Sequence, residues 1–320
     1  MAKTEHILML SYGKDSIACL GAIKELGWPL DRIIHAEVWA TDDLPADLPP
    51  MVEFKAHADA WIKENFGIEV EHVCAMKNGE KLTFEKLFYH KPKRRSNSKA
   101  AALVNAAKEG GQVLQWTSSG IPSLTLTMVQ QQSQSTTSTD GHSQSEDGAG
   151  NSSMERILGF PMLRGMWCNS KLKMSAFSKS SLALGANINM VQYLGIAADE
   201  PVRIARHTKE GNLLPLVEMG WDEAYCRQWC EERGLLSPIY TTSSRGGCFF
   251  CPMQSTDQLR LLRRNYPDYW QLMLKWDLDS PVTFKSDGHT LWDYDKRFEA
   301  EDKGLVPTDR KFRWKMLNDL

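Results

Sequence analysis

Short continuous apolar runs alternate, along the N-terminal part of the chain, with stretches in which apolar residues recur every three or four positions. His6-Ile7-Leu8-Met9-Leu10 has the compact form of a buried parallel strand, and the segment from Ser16 follows with apolar residues at 17, 20, 23 and 26. Gly27 sits where that helix is expected to stop. A second strand is predicted over 31–40, ending in the polar stretch Thr41-Asp42-Asp43. Met51, Phe54, Ala58, Trp61, Ile62 and Asn65 keep helical spacing, and Gly67 precedes a third strand over 68–73. Strand and helix in this alternation predict right-handed crossovers and a parallel sheet, hence an α/β fold.

The rhythm breaks over 91–156. Lys91 to Lys99 is a basic run, readable as a solvated loop or as a phosphate-backbone contact, and Gln130 to Ser153 is almost wholly polar. The polar stretch has too little apolar surface to fold on its own and is expected to be a disordered insertion. Order returns at Ile157 to Met162, and a further strand is predicted over 189–196. Helices are expected over 221–234, 257–266 and 268–276, the last two separated by Pro267. Near the end, Arg310-Lys311-Phe312-Arg313-Trp314-Lys315 interleaves cations with rings, a pattern open to base stacking or to a packed amphipathic tail. The predicted organisation is therefore an α/β domain over 1–90 and 157–244, an insertion over 91–156, and a small helical, cysteine-rich C-terminal lobe over 245–320.

Between the first strand and its helix stands Ser11-Tyr12-Gly13-Lys14-Asp15-Ser16. A tight loop there aims backbone N–H groups and the positive end of the helix dipole at one point, which suits phosphate oxygens. Gly13 allows close approach, Lys14 adds a mobile cation, and the Ser11 and Ser16 hydroxyls can donate. Asp15 would repel phosphate and makes sense as a helix cap or as a ligand of a bridging Mg2+. In a doubly wound sheet, ligands sit beyond the carboxyl ends of the strands, which brings Thr41 near this loop as a nucleotide contact. Thr41 to Asp43 can equally be an ordinary surface loop.

Ser-x-Gly-Lys-Asp-Ser after a first strand resembles the pyrophosphate loop of the adenine nucleotide alpha-hydrolase superfamily (the PP-loop superfamily), and within it the phosphoadenylylsulfate (PAPS) reductase family. Tyr12 stands where the commonest form has a second glycine. The similarity extends over Trp167-Cys168-Asn169-Ser170-Lys171-Leu172-Lys173, over Gly195-Ile196 with Asp199-Glu200 and Arg203, and over Gly234-Leu235-Leu236-Ser237-Pro238-Ile239-Tyr240 followed by Arg245-Gly246-Gly247-Cys248-Phe249-Phe250-Cys251-Pro252. The resemblance implies a Rossmann-like, doubly wound parallel sheet. It also implies an adenine nucleotide, ATP or PAPS, handled by Lys14, Asp15 and Arg203 as catalytic groups. Ser11, Tyr12, Gly13, Ser16, Thr41, Lys171, Lys173 and Asp199 would complete the nucleotide contacts.

Cys-x-x-Cys at Cys248 and Cys251 places two thiolates on one ion or cluster; a closed site needs two more ligands, and an open one needs one. Cys226 and Cys230 share a helix face, i to i+4. By the resemblance, Cys230 is the better match, and Cys168, Cys230, Cys248 and Cys251 form the candidate metal set. The implied cofactor is an iron–sulfur branch 4Fe-4S cluster, with zinc as the competing metal, and Mg2+ accompanies ATP.

Composition narrows the setting. The chain has 320 residues, 42% hydrophobic, with no long uncharged apolar run of the kind that spans a membrane. Seven cysteines and a strand that begins almost at Met1 point to the reducing cytoplasm and to metal or thiol chemistry. A net charge of -2 leaves any nucleic-acid contact to local patches. Sulfonucleotide reductases carry a nucleophilic cysteine near the C-terminus, and no cysteine follows Cys251. The expected activity is therefore ATP-dependent sulfur transfer to a nucleic-acid or small-molecule acceptor, with a sulfur-donor protein as a further expected partner. PAPS or adenylylsulfate reduction is the alternative, and a non-catalytic nucleotide-binding module with structural zinc is the competing class.

Overall fold

A computed structural model describes residues 3–92, 114–116, 122–124, 157–161, 166–182, 188–241 and 247–320. The expected alternation is present as β1 (Lys3–Met9), α1 (Lys14–Leu26), β2 (Arg32–Glu37), α2 (Pro49–Phe66) and β3 (Val70–Cys74). Gly27 and Gly67 close the two helices in the left-handed conformation, at φ 63° and 67°, that glycine adopts without penalty. A hairpin of β4 (Met76–Lys77) and β5 (Glu80–Lys81) leads to α3 (Phe84–Phe88). The chain divides into two compact units, Met1–His90 with Ile157–Leu320, and Lys91–Arg156. In the second, β6 (Leu114–Trp116) pairs antiparallel with β7 (Pro122–Leu124). The greater part of the basic run, 93–99, and the polar stretch 130–153 lie outside the described residues, as do Met162 and 245–246 of the segments singled out above.

Beyond that unit, a π-helical turn (Asn169–Met174) runs into α4 (Ser175–Leu182) and then β8 (Ile188–Tyr193). There follow α5 (Pro201–Lys209), α6 (Pro215–Glu218), α7 (Glu223–Glu232), α8 (Thr256–Asn265), α9 (Pro267–Asp279) and α10 (Leu291–Asp302). The main sheet has the order β3-β2-β1-β8 and every pairing in it is parallel. This is a mixed α/β architecture, a parallel four-stranded sheet flanked by helices, compatible with a Rossmann-like fold. Because β1 is flanked by β2 on one side and by β8 on the other, the chain reverses its winding at the carboxyl end of β1, where such sheets open a crevice.

Two hydrophobic clusters hold the unit together. One joins Leu8, Ile17, Leu20, Ile23, Phe54, Ile62, Trp221 and Trp229, so that α1, α2 and α7 pack with the sheet. The other joins Phe249, Phe250, Leu259, Trp270, Trp276 and Phe298 to Val38, Ala40, Phe84 and Phe88. The helices of 245–320 share this second cluster with residues following β2 and with α3, inside one compact unit. The predicted second strand is shortened because the chain folds back after Glu37, with Ala46 N–H bonded to Val38 O and Trp39 bridged to Pro45. The aromatic tail is packed inward: the Arg297 guanidinium lies 3.8 Å from the centre of Phe312, and Trp314 stacks on His289 at 3.7 Å. That is the amphipathic-tail alternative, with the rings engaged by protein.

Candidate functional site

At the carboxyl ends of β1, β2 and β8 opens a cavity of about 640 Å³. Its walls include the whole loop Ser11 to Ser16, Lys173 from the π-helical turn, Glu200 and Arg203 at the start of α5, Glu223 of α7, and Tyr240 and Cys248. Residues as distant in the chain as Leu10 and Cys248 thus share one space, because the strands of a parallel sheet all end at the same edge.

The loop is rigidly bonded. Ser16 Oγ accepts from Ser11 N–H at 3.1 Å and from Ser11 Oγ at 3.0 Å, and donates to Gly13 O at 3.0 Å. Tyr12 has φ 56°, a left-handed conformation that side chains resist and glycine accepts. Its side chain is fully buried and its hydroxyl donates to Asp59, so Tyr12 serves the loop from beneath. Lys14 is buried, with Nζ 2.7 Å from Asp15 Oδ1 and 3.1 Å from Glu223 Oε2. Burial opposes its charge, but the bonds to the two carboxylates outweigh this and raise its pKa. Asp15 is raised by burial, against the pull of Lys14 and with the repulsion of Glu223 and Glu200. It sits in the first turn of α1 and makes no capping bond; Gly13 occupies the cap position.

Arg203 reaches both oxygens of Glu200 at 2.6 Å, half exposed at the cavity rim. The floor carries Lys55, whose Nζ lies 2.6 Å from Asp47 Oδ2 and 2.7 Å from His35 Nε2. Burial, and then the Lys55 charge, push the His35 pKa down to about 3, so the ring is neutral: it accepts from Lys55 and donates from Nδ1 to Leu10 O at 2.9 Å. Gly195 closes the wall, since a Cβ there would stand 2.6 Å from Ser16 Cα and 2.7 Å from Asp15 O.

The four candidate cysteines are not brought together. Cys168, Cys248 and Cys251 are close enough to bear on one another's charge, around Lys173. Cys248 is raised to about 12 by burial, and Lys173 is kept charged by Cys248 first and then by Cys168 and Cys251. Cys230 lies elsewhere. It is fully buried under the loop, its thiol donating to Lys14 O at 3.3 Å, because α7 packs that face against α1. Cys226, one turn earlier, is buried beside Cys19. Among the described residues, no three His, Cys, Asp or Glu side chains stand close enough to share one metal ion.

Comparison with protein-family models and with curated proteins finds no match for this chain.

Of the expected nucleotide contacts, Ser11, Tyr12, Gly13, Lys14, Asp15, Ser16, Lys173 and Arg203 line the cavity, and Thr41, Lys171 and Asp199 do not. The Thr41 hydroxyl instead accepts from Leu44 N–H at 3.2 Å, closing its own turn. Asp199 accepts from Glu223 N–H at 3.2 Å, steadying the start of α7. Lys171 is exposed on the π-helical turn. Sequence reasoning missed His35, Asp47, Lys55 and Glu223. Nothing local marks them; in the folded chain His35 and Lys55 stand out as buried polar groups, and Asp47 and Glu223 as the carboxylates that pair with Lys55 and Lys14.

Proposed function

We propose that the chain is an enzyme that binds an adenine nucleotide at the Ser11–Ser16 loop and acts at its alpha-phosphate, driving ATP-dependent sulfur transfer. The observation that carries this reading is the single cavity in which the phosphate-type loop, two further cations, Lys173 and Arg203, and the Cys248 thiol face one another. Backbone N–H groups at the head of α1 suit phosphate oxygens, and Lys14 and Arg203 supply charge that can follow a leaving pyrophosphate. Both cations are held by carboxylates, Asp15 and Glu223 for Lys14 and Glu200 for Arg203. A nucleotide must therefore replace carboxylate by phosphate, with Mg2+ on Asp15 absorbing part of the displaced negative charge.

In the reaction, an acceptor oxygen attacks the alpha-phosphorus and pyrophosphate leaves. A sulfur nucleophile then displaces AMP, which departs with the acceptor's oxygen. The donor chemistry of the thiol side fits a cysteine-bound metal group with an open position, held by Cys168, Cys248 and Cys251 after they draw together, and without Cys230. An iron–sulfur cluster bound there would present sulfur to this step, whereas zinc, which has no redox chemistry, would only hold the thiolates in place.

ATP–pyrophosphate exchange in the presence of candidate nucleic-acid and small-molecule acceptors tests the reading on anaerobically purified protein. Exchange dependent on Lys14 is the expected result. Absence of exchange together with tight PAPS binding would replace it by sulfonucleotide reduction, and nucleotide binding without turnover by a non-catalytic module.

A further inference from the structure

Tyr12 occupies a place where the backbone calls for glycine. Among the described residues only Tyr12 and Asn78 have positive φ without being glycine, and Asn is a type that tolerates it. An aromatic residue in this region persists only where its surroundings over-determine it. The surroundings here are specific. The Tyr12 hydroxyl donates to Asp59 Oδ1 and lies 3.2 Å from His72 Nε2. His72 Nε2 in turn is 2.9 Å from Asp59 Oδ2, and His72 Nδ1 is 3.0 Å from Glu37 Oε1. One face of the ring meets the edge of His35 at 4.7 Å, and Lys55 Nζ stands 5.4 Å from its centre. Three elements, β2, α2 and β3, therefore converge on one side chain.

We propose that Asp59 and His72 are positioning residues of the phosphate loop: through the Tyr12 hydroxyl they hold residue 12 left-handed, so that the amides of Gly13 and Lys14 face the cavity. The proposal rests on the reading of Ser11–Ser16 as a phosphate loop for its functional consequence, and on the hydrogen-bond geometry alone for its structural one. Asp59 accepts from both Tyr12 and His72, and His72 is fixed from its other nitrogen by Glu37, so the clamp has no free rotor. With two carboxylates on its two nitrogens, Asp59 foremost, the imidazole is a cation that donates twice, in keeping with a pKa raised to about 9. Asp59 and His72 line a neighbouring small pocket and not the main cavity; the two share Val38, Asp47 and Lys55, and His72 meets the His35 ring at 5.5 Å, but the hydrogen-bonded route from Asp59 and His72 to the loop runs through Tyr12.

The experiment compares the full chain with Tyr12→Phe, Asp59→Asn, His72→Gln and the Tyr12→Phe/Asp59→Asn double variant. Two readouts are taken: amide hydrogen exchange across 7–26 without ligand, and binding of Mg2+–ATP and of PAPS. Each single variant is expected to speed exchange at Gly13 and Lys14 about tenfold while the rest of β1 and α1 keeps its protection, and to weaken nucleotide binding by about tenfold. The double variant should be no worse than Tyr12→Phe, because Asp59 reaches the loop by a hydrogen bond only to that hydroxyl. Tyr12→Gly/Asp59→Asn should bind as Tyr12→Gly does, since glycine needs no clamp. Should the glycine variants fail to fold, the Tyr12→Phe cycle decides. Unchanged exchange at Gly13 and Lys14, a uniform rise across β1 and α1, or additive losses in the double variant would overturn the proposal. If the unaltered chain binds neither nucleotide, the phosphate-loop reading fails, and the exchange data still decide whether the clamp exists.

Discussion

The Tyr240 hydroxyl accepts the backbone N–H of Lys14 at 3.1 Å and lies against Gly13, covering the head of α1 from a segment more than two hundred residues away. On the proposed reading, a phosphate oxygen bound at this loop would compete with the hydroxyl for the same amide. Tyr240→Phe removes the competitor and leaves the amide to the ligand. Nucleotide affinity should rise about three- to tenfold by calorimetry, while the unliganded protein loses about 1 kcal/mol for the missing bond. Weaker binding in this variant would mean that Tyr240 contacts the ligand directly.

Glu223 competes in the same way for the side chain of Lys14. Glu223→Gln should leave Lys14 bonded to Asp15 alone and tighten binding of Mg2+–ATP several-fold, about 1 kcal/mol for a half-exposed partner. Titration at two salt concentrations checks this, because the gain is electrostatic and should shrink as salt rises.

Gly21 is set by packing. A Cβ at this position would overlap the indole of Trp229, the buried ring through which α7 rests on α1. Gly21→Ala should cost about 1–3 kcal/mol in urea unfolding, the usual penalty for overpacking, despite the better helix propensity of alanine. Because α7 also carries Cys230 beneath the loop, nucleotide binding should weaken alongside stability.

His72 makes stability depend on pH. Its folded pKa, raised to about 9 by Asp59 and then Glu37, exceeds the ordinary histidine value of 6.5. The stabilisation is therefore complete below pH ~6.5 and is lost as pH rises through ~9. The full shift corresponds to roughly 3 kcal/mol, and solvent screening of a side chain 29% exposed reduces the expectation to about 1–2 kcal/mol. Unfolding measured from pH 6 to pH 9.5 should show this fall in the unaltered chain and a shallower one in His72→Gln.

The cysteines separate by place. Cys168→Ala, Cys248→Ala and Cys251→Ala should each lower the iron or zinc retained on anaerobic purification, by tenfold or more. Cys230→Ala should keep the metal and lose about 1–3 kcal/mol of stability as a buried, bonded thiol. Equal metal loss in Cys230→Ala would restore the four-cysteine set.

The sequence by itself determined the alternation of β1, α1, β2, α2 and β3, the glycine stops at Gly27 and Gly67, and the loop from Ser11 to Ser16. Each is a local matter of periodicity, backbone freedom or turn chemistry within about a dozen residues. The convergence of Lys173, Arg203 and Cys248 on that loop was foreshadowed by motif, yet their sharing of one cavity is a property of the crossover topology. Tertiary structure alone decided that Cys230 turns under Lys14 while Cys168, Cys248 and Cys251 lie around Lys173, since i to i+4 spacing names a helix face but not what it meets. It decided also that Thr41 and Asp199 bond their own neighbourhoods, and that Lys55, His35 and Asp47 form a buried floor. Such choices depend on which charged groups lose water when distant segments pack, and no local pattern along the chain records that.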